Sequence, residues 1–149
     1  LVTKNSRFTV AVHALALLAI VRGKPTTSDY IARSVNTNPV VIRRILGVLG
    51  KAGLVETHPG AGGGSELAKN PSDISLLEIY RLMGNVDLFP MHTQPPSDDC
   101  VCGRHIQTVL SGVFSEAQQA MENVLAGLTI EDIELQIEEL EESGLCEPC

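Results

Sequence analysis

The chain has 149 residues, the length of one ordinary domain or of a small domain with an appended arm. Its 44% hydrophobic content excludes a wholly disordered chain, four Cys are too few for a disulfide scaffold, and with 3% aromatic residues and no Trp the core must be made of Leu, Ile, Val and Ala. The net charge of −7 counts against a polyanionic partner only as an average, because residues 1–69 carry nine basic against three acidic residues (+6) and residues 70–149 carry two against fifteen (−13).

Ser6 to Val21 reads as a mostly buried helix with Phe8, Val12, Leu15 and Ala19 on one stripe. Two cations ahead of an apolar run resemble an export signal, but His13 interrupts the run and Arg22 stands where a small-residue cleavage site belongs. The run is also short of the roughly 20 residues that span a bilayer. The expectation is a cytoplasmic protein away from membranes, whose cysteines are reactive or metal-binding. Gly23-Lys24-Pro25 ends the helix, and Thr26 to Asp29 offers a capping box with Thr26 at the cap and Asp29 three residues on. The next helix, Ser28 to Val35, places Tyr30, Ile31 and Ala32 for packing. Asn36-Thr37-Asn38 is a tight turn, and Pro39 suits the first position of a helix running to Ala52, with Gly53 as its stop. A buried helix followed by two short helices about a tight turn is the helix-turn-helix arrangement.

Leu54 to Thr57 and Ser65 to Ala68 are short extended segments around a glycine-rich tip, a hairpin of the kind called a wing. Its glycines lack the Gly-Lys-Ser/Thr of a phosphate loop and open no helix as a dinucleotide fingerprint would. Pro71 to Met83 reads as a helix started by Ser72 or Asp73. Gly84 to Asp99 is a loop rich in Pro, Asp and Gln, long enough to suggest a role of its own. Beyond it Ile106, Leu110, Val113, Ala117, Ala120 and Val124 form a heptad-like seam, fitting a coiled-coil partner or packing within the domain. A last helix from Thr129 sets Ile130, Ile133, Ile137 and Leu140 against a face of Glu. The fold expected is mainly α with a small β-hairpin. Residues 1–83 form a winged helix-turn-helix domain, 84–101 a sensor loop, 102–142 a long dimerisation helix with a C-terminal helix, and 143–149 a Cys-containing tail.

The second helix of such a unit lies in the major groove of DNA, with its N-terminal half at the base edges. Here that half carries Thr37, Asn38, Val40, Arg43 and Arg44. The two arginines project about 100° apart, so one is free for a base edge and the other for a phosphate. Thr37 and Asn38 suit either a phosphate contact or a helix cap, Lys51 a backbone contact, and Gly62, Gly63 and Gly64 a close approach to the minor groove.

The segments SRFTVAVHALALLA, TSDYIARSVNTNPVVIRRILGVLGKAGLV, GAGGGSELAK, DISLLEIYRLM and CVCGRHIQTVL, in that order, resemble the Rrf2 family of bacterial winged-helix regulators over about residues 5–140. The resemblance implies a homodimer joined through the helix at about 102–126, each subunit placing one recognition helix in a half-site of a palindromic operator. The chain departs from the family pattern at His58 and Pro59, where a basic residue is common, and at Ser65, where an aromatic one is frequent. Cluster-binding members carry three Cys in the loop before the dimerisation helix, and only Cys100 matches that set.

Three readings of the cysteines stay open. Cys100, Cys102, Cys146 and Cys149 supply four thiols, enough for zinc or an iron–sulfur cluster. Alternatively, Cys100 is a thiol switch at a helix N-terminus near Arg104 and His105. Or all are ordinary thiols. The sequence therefore describes a dimeric DNA-binding regulator, a repressor, that answers a redox, thiol-reactive or metal signal. The alternatives are a thiol oxidoreductase using the terminal Cys146–Cys149 pair, or a winged-helix adaptor that binds protein and not DNA.

Overall fold

The structure is a computed structural model that describes residues 4–84 and 87–144. Its contacts divide the chain into two compact units, residues 1–85 with 125–149, and residues 86–124.

The first unit is built on α1 (Lys4–Ile20). Ala11, Ala14, Leu15, Leu18 and Ala19 of this helix are buried, and α2, α3, α4, α6 and the second strand all pack against it. α2 (Ser28–Val35) and α3 (Pro39–Lys51) follow, joined by a turn in which Asn36 adopts the left-handed conformation at φ 59°. The amide of Thr37 reaches back to the Ala32 carbonyl at 2.9 Å, closing α2. The α2 cap is Thr27, one residue later than the sequence suggested: its hydroxyl accepts the Tyr30 amide at 3.2 Å. Thr26 is instead buried, with its hydroxyl donating to the Lys24 carbonyl. Ile31 and Ala32 enter the core, whereas Tyr30 is exposed beside the Arg33 guanidinium, 5.7 Å from its ring centre.

β1 (Val55–His58) and β2 (Gly64–Leu67) pair antiparallel, Val55 opposite Leu67 and His58 opposite Gly64. The predicted helix from Pro71 is broken. Pro71–Asp73 is a single 3₁₀ turn, and α4 (Leu76–Leu82) starts only after Ser75, whose hydroxyl accepts the Glu78 amide. The break leaves Ile74 extended, so that its carbonyl accepts the Ile130 amide while the Leu76 amide donates to Leu128, both at 2.9 Å. α6 (Ile130–Glu142) is thereby fastened to the first unit. A capping box between Thr129 and Asp132 opens it, Ile130 is fully buried, and Arg22 pairs with Glu134 at 3.1 Å. α6 falls in the same compact unit as α1, on which its apolar face packs. Between α1 and α6 an apolar groove of about 490 Å³, lined by Phe8, Val12, Ala16 and Ile133, stays open to the surface.

The second unit holds the loop from residue 87 and all but the last two residues of α5 (Val101–Ala126), which starts one residue earlier than expected. The loop lies along the helix. The Phe89 and Phe114 rings sit 5.0 Å apart, and the Leu88 amide donates to the Gln118 side chain. No residue of α5 is buried. Along the predicted seam Val113, Ala120 and Val124 are exposed, and Ile106, Leu110 and Ala117 are half-buried.

Two measurements check this packing. Ile130→Ala, by opening a cavity under α6, lowers the unfolding free energy by about 2–5 kcal/mol in urea titrations. His13 contacts the Ser34 hydroxyl at 2.9 Å, and burial lowers its pKa below the ordinary 6.5. The unfolded chain then takes up the proton first, so this contribution is complete above pH 6.5 and declines as pH falls toward the lowered folded value. His13→Gln removes that part of the acid dependence, read as a flatter plot of urea midpoint against pH.

Candidate nucleic-acid interface

Helix α3 divides cleanly by face. Ile42, Ile45, Leu46 and Leu49 are buried, so Val40, Arg43, Arg44, Gly47, Gly50 and Lys51 are left on the outside. This spacing follows from the 3.6-residue turn once the apolar positions are fixed by the core. Asn38 is the N-cap, its side-chain oxygen accepting the Val40 amide at 2.8 Å, so of its two readings the structure gives the cap. Thr37 is half-buried in the turn.

The two arginines have different surroundings. Arg43 faces the Asp29 carboxylate of α2 at 3.6 Å. Arg44 lines a cleft of about 350 Å³ with Arg7 of α1, Val41 and Ile45. Arg7 escaped the sequence reading because it lies in another helix, and its only signal was its place in the basic half.

The hairpin is tied to the helices by backbone. Thr26, just before α2, forms an isolated bridge to Ser65, with amide-to-carbonyl distances of 3.0 and 2.8 Å. Ser65 is 2% exposed, and its hydroxyl meets that of Thr57 at 3.0 Å. A small hydroxyl residue fits this buried, hydrogen-bonded position. Gly64 has φ +151°, and a Cβ on it would lie 2.6 Å from the Thr26 amide nitrogen. A Cβ on Gly63 would strike the His58 carbonyl, and Gly62 is left-handed at φ +75°. All three glycines are thus required by the hairpin itself. His58 faces Glu66 at 3.3 Å across the strands. Between α3 and the hairpin runs a groove lined by Arg43, Gly47, Lys51, Glu56 and Thr57.

At the start of α5, Cys100 and Cys102 are both exposed. The Gly103 amide donates to the Cys100 sulfur at 3.1 Å, and Arg104 donates to the Asp98 carbonyl at 2.8 Å. Among the described residues no group of three or more His, Cys, Asp or Glu is placed to hold a metal ion. Cys146 and Cys149 lie outside the described residues. Among the described residues, too, no helix is long and apolar enough to cross a membrane.

A basic recognition helix set after a tight turn, flanked by a two-stranded hairpin, defines a winged helix-turn-helix transcriptional regulator. The chain belongs to the Rrf2 family, described as iron-dependent transcriptional regulators, whose model matches residues 4–134. It is 44% identical over 130 residues to YwnA of Bacillus subtilis (strain 168), covering 87% of this chain and 95% of that protein. It is 33% identical over 93 residues to the HTH-type transcriptional regulator NsrR of Shouchella clausii (strain KSM-K16), 62% of this chain and 60% of the relative. Among solved structures, T. potens IscR superposes with a TM-score of 0.69 at 25% identity, covering 96% of this chain and 91% of that one. The family consists of regulators and not enzymes, which sets aside the thiol oxidoreductase.

Because Gly64 combines a left-handed φ with a backbone neighbour, Gly64→Ala strains the hairpin or detaches it from Thr26, a loss of roughly 1–3 kcal/mol. Proton exchange at the Ser65 amide then accelerates relative to that at Leu54.

Proposed function

We propose that this chain is a homodimeric, cytoplasmic repressor that binds a palindromic operator through α3 and the hairpin and is released by a thiol-reactive signal at the start of α5. The observation that carries the DNA part is the outer face of α3, where Val40, Arg43, Arg44, Gly47 and Lys51 are presented together beside the groove to the hairpin. Arg43 suits a base edge, while Arg44 with Arg7, and Lys51 further along, suit phosphates. Thr37 stands at the turn where the chain would enter the groove, and Asn38 holds the helix start. The hairpin, with Gly62, Gly63 and Gly64 at its tip, would lie toward the minor groove. Glycine at 47 supports the same reading: a Cβ there would meet nothing within 4 Å, so no contact within this chain requires it.

Dimerisation is supported by α5. Helices in proteins draw most of their stability from packing an apolar face, whereas α5 has no buried residue and exposes Val101, Val109, Val113 and Val124. The seam of Ile106, Leu110, Val113, Ala117, Ala120 and Val124 in a second copy is the occupant proposed.

For the signal, the described donors supply two thiols, short of the four that structural zinc and most clusters take. Cys100 holds the Gly103 amide, so modification of its sulfur removes a hydrogen bond at the first turn of α5. The family's description as iron-dependent favours the second reading, in which thiols of this chain hold a metal ion or a cluster. The ultraviolet–visible spectrum and iron and zinc content of anaerobically purified protein distinguish the two.

In gel shifts on its own upstream region, wild-type affinity falls steeply with salt, and Arg44→Ala lowers the slope of log affinity against log salt by about 1. Gly47→Ala raises stability by about 1 kcal/mol while weakening binding to DNA. Val113→Asp shifts the protein toward monomer in sedimentation, and Cys100→Ser leaves DNA binding insensitive to iodoacetamide. Absence of binding to any DNA would sink the reading.

A further inference from the structure

We propose that Asp29 buttresses Arg43, holding its guanidinium for a guanine edge and keeping it off the phosphates, so that an α2 residue sets discrimination at a base it does not itself read. This rests on the DNA-binding reading above and deepens it.

The structure treats two adjacent arginines differently. Arg43 has the Asp29 carboxylate 3.6 Å from its Nη2, with both side chains more than half exposed. Arg44 has no ion pair among the described residues. An exposed pair of this kind adds little to stability. Nor does α2 need Asp29 as a cap, since Thr27 fills that position. Its place in the first turn is favourable to the helix dipole, but any acid there would serve as well. What is particular to Asp29 is its reach to a residue on the outer face of α3.

A guanidinium has five N–H donors arranged in a plane. Guanine O6 and N7 take two of them on one edge, which leaves another edge for a carboxylate. A guanine contact is therefore compatible with the Asp29 pair, and the pair fixes the plane in advance. A phosphate contact brings a second anion toward the same carboxylate, and the like charges repel. Asp29 thus favours one use of Arg43 over the other. Arg44, without such a neighbour and beside Arg7, is left for the phosphates.

The test is in vitro selection from a random duplex library with full-length wild type, Asp29→Asn, Asp29→Glu and Arg43→Ala. Binding is then measured to the selected duplex, to the same duplex with 7-deazaguanine at each guanine in turn, and to a random duplex. For wild type, one 7-deazaguanine position weakens binding by about tenfold, the size of a lost base contact. In Asp29→Asn the random duplex binds more tightly, the selected-to-random ratio falls by about tenfold, and the 7-deazaguanine effect shrinks. Asp29→Glu, which keeps the carboxylate, restores part of the ratio. If Asp29→Asn keeps the wild-type ratio and the 7-deazaguanine effect while Arg43→Ala loses both, the buttress is overturned and the DNA-binding reading stands. If Arg43→Ala matches wild type throughout, the role of Arg43 in that reading falls, and the buttress with it.

Discussion

The close packing of α1 against its neighbours is the constraint on which the placement of α3 and the hairpin depends. Ala11 and Ala14 have no exposure and Leu15 none, so the helices that meet here approach as closely as a methyl group allows. α2, α3, α4, α6 and β2 are each placed by contact with this one helix. A core with few aromatic rings reaches its density through many small aliphatic groups, among which an added methylene has nowhere to go. The tilt of α3 is therefore fixed from behind, by side chains that are buried in the core.

From that base, polar contacts set the details. Asn36 gives the turn its left-handed residue, Asn38 caps α3, and Thr27 caps α2. The Thr26–Ser65 bridge joins the hairpin to the residue before α2. The turn and the two caps are local, whereas the bridge spans 39 residues, and together they set α3 beside the hairpin. The basic half of the chain keeps its three acids, Asp29, Glu56 and Glu66, within or beside this region, two of them facing Arg43 and His58.

Much of this was legible in the sequence, for reasons that differ by element. The helix-turn-helix was readable because Asn36, Pro39 and Gly53 punctuate it and the apolar positions of α3 repeat at helical spacing. The Thr27 cap was missed by one residue because Thr26 and Thr27 are chemically alike, and only the tertiary bridge to Ser65 claims the first. The break at Ile74 was hidden because its cause is α6, more than fifty residues later, which takes the Ile74 carbonyl. The partner of α6 was hidden in the same way: its stripe of Ile fits any apolar surface, and the sequence does not name α1 as that surface. The face of Arg43 and Arg44 was predictable, but not that one of them has an acid for company, since Asp29 is fourteen residues away across a turn. The two cysteines at the start of α5 were placed correctly at a helix N-terminus, whereas the pair in the tail falls outside the described residues.

The burial of Ile130 against α1 also governs the order in which the molecule can be completed. α1 is made well before α6, and the surface that α6 covers stays wet until residues 130–137 have left the ribosome. At usual rates of synthesis that interval is on the order of ten seconds. For its duration the apolar residues of α1 that α6 will cover have no such partner. Closure of α1 by α6 is therefore a later step than assembly of the helix-turn-helix, whose parts lie close together in the chain.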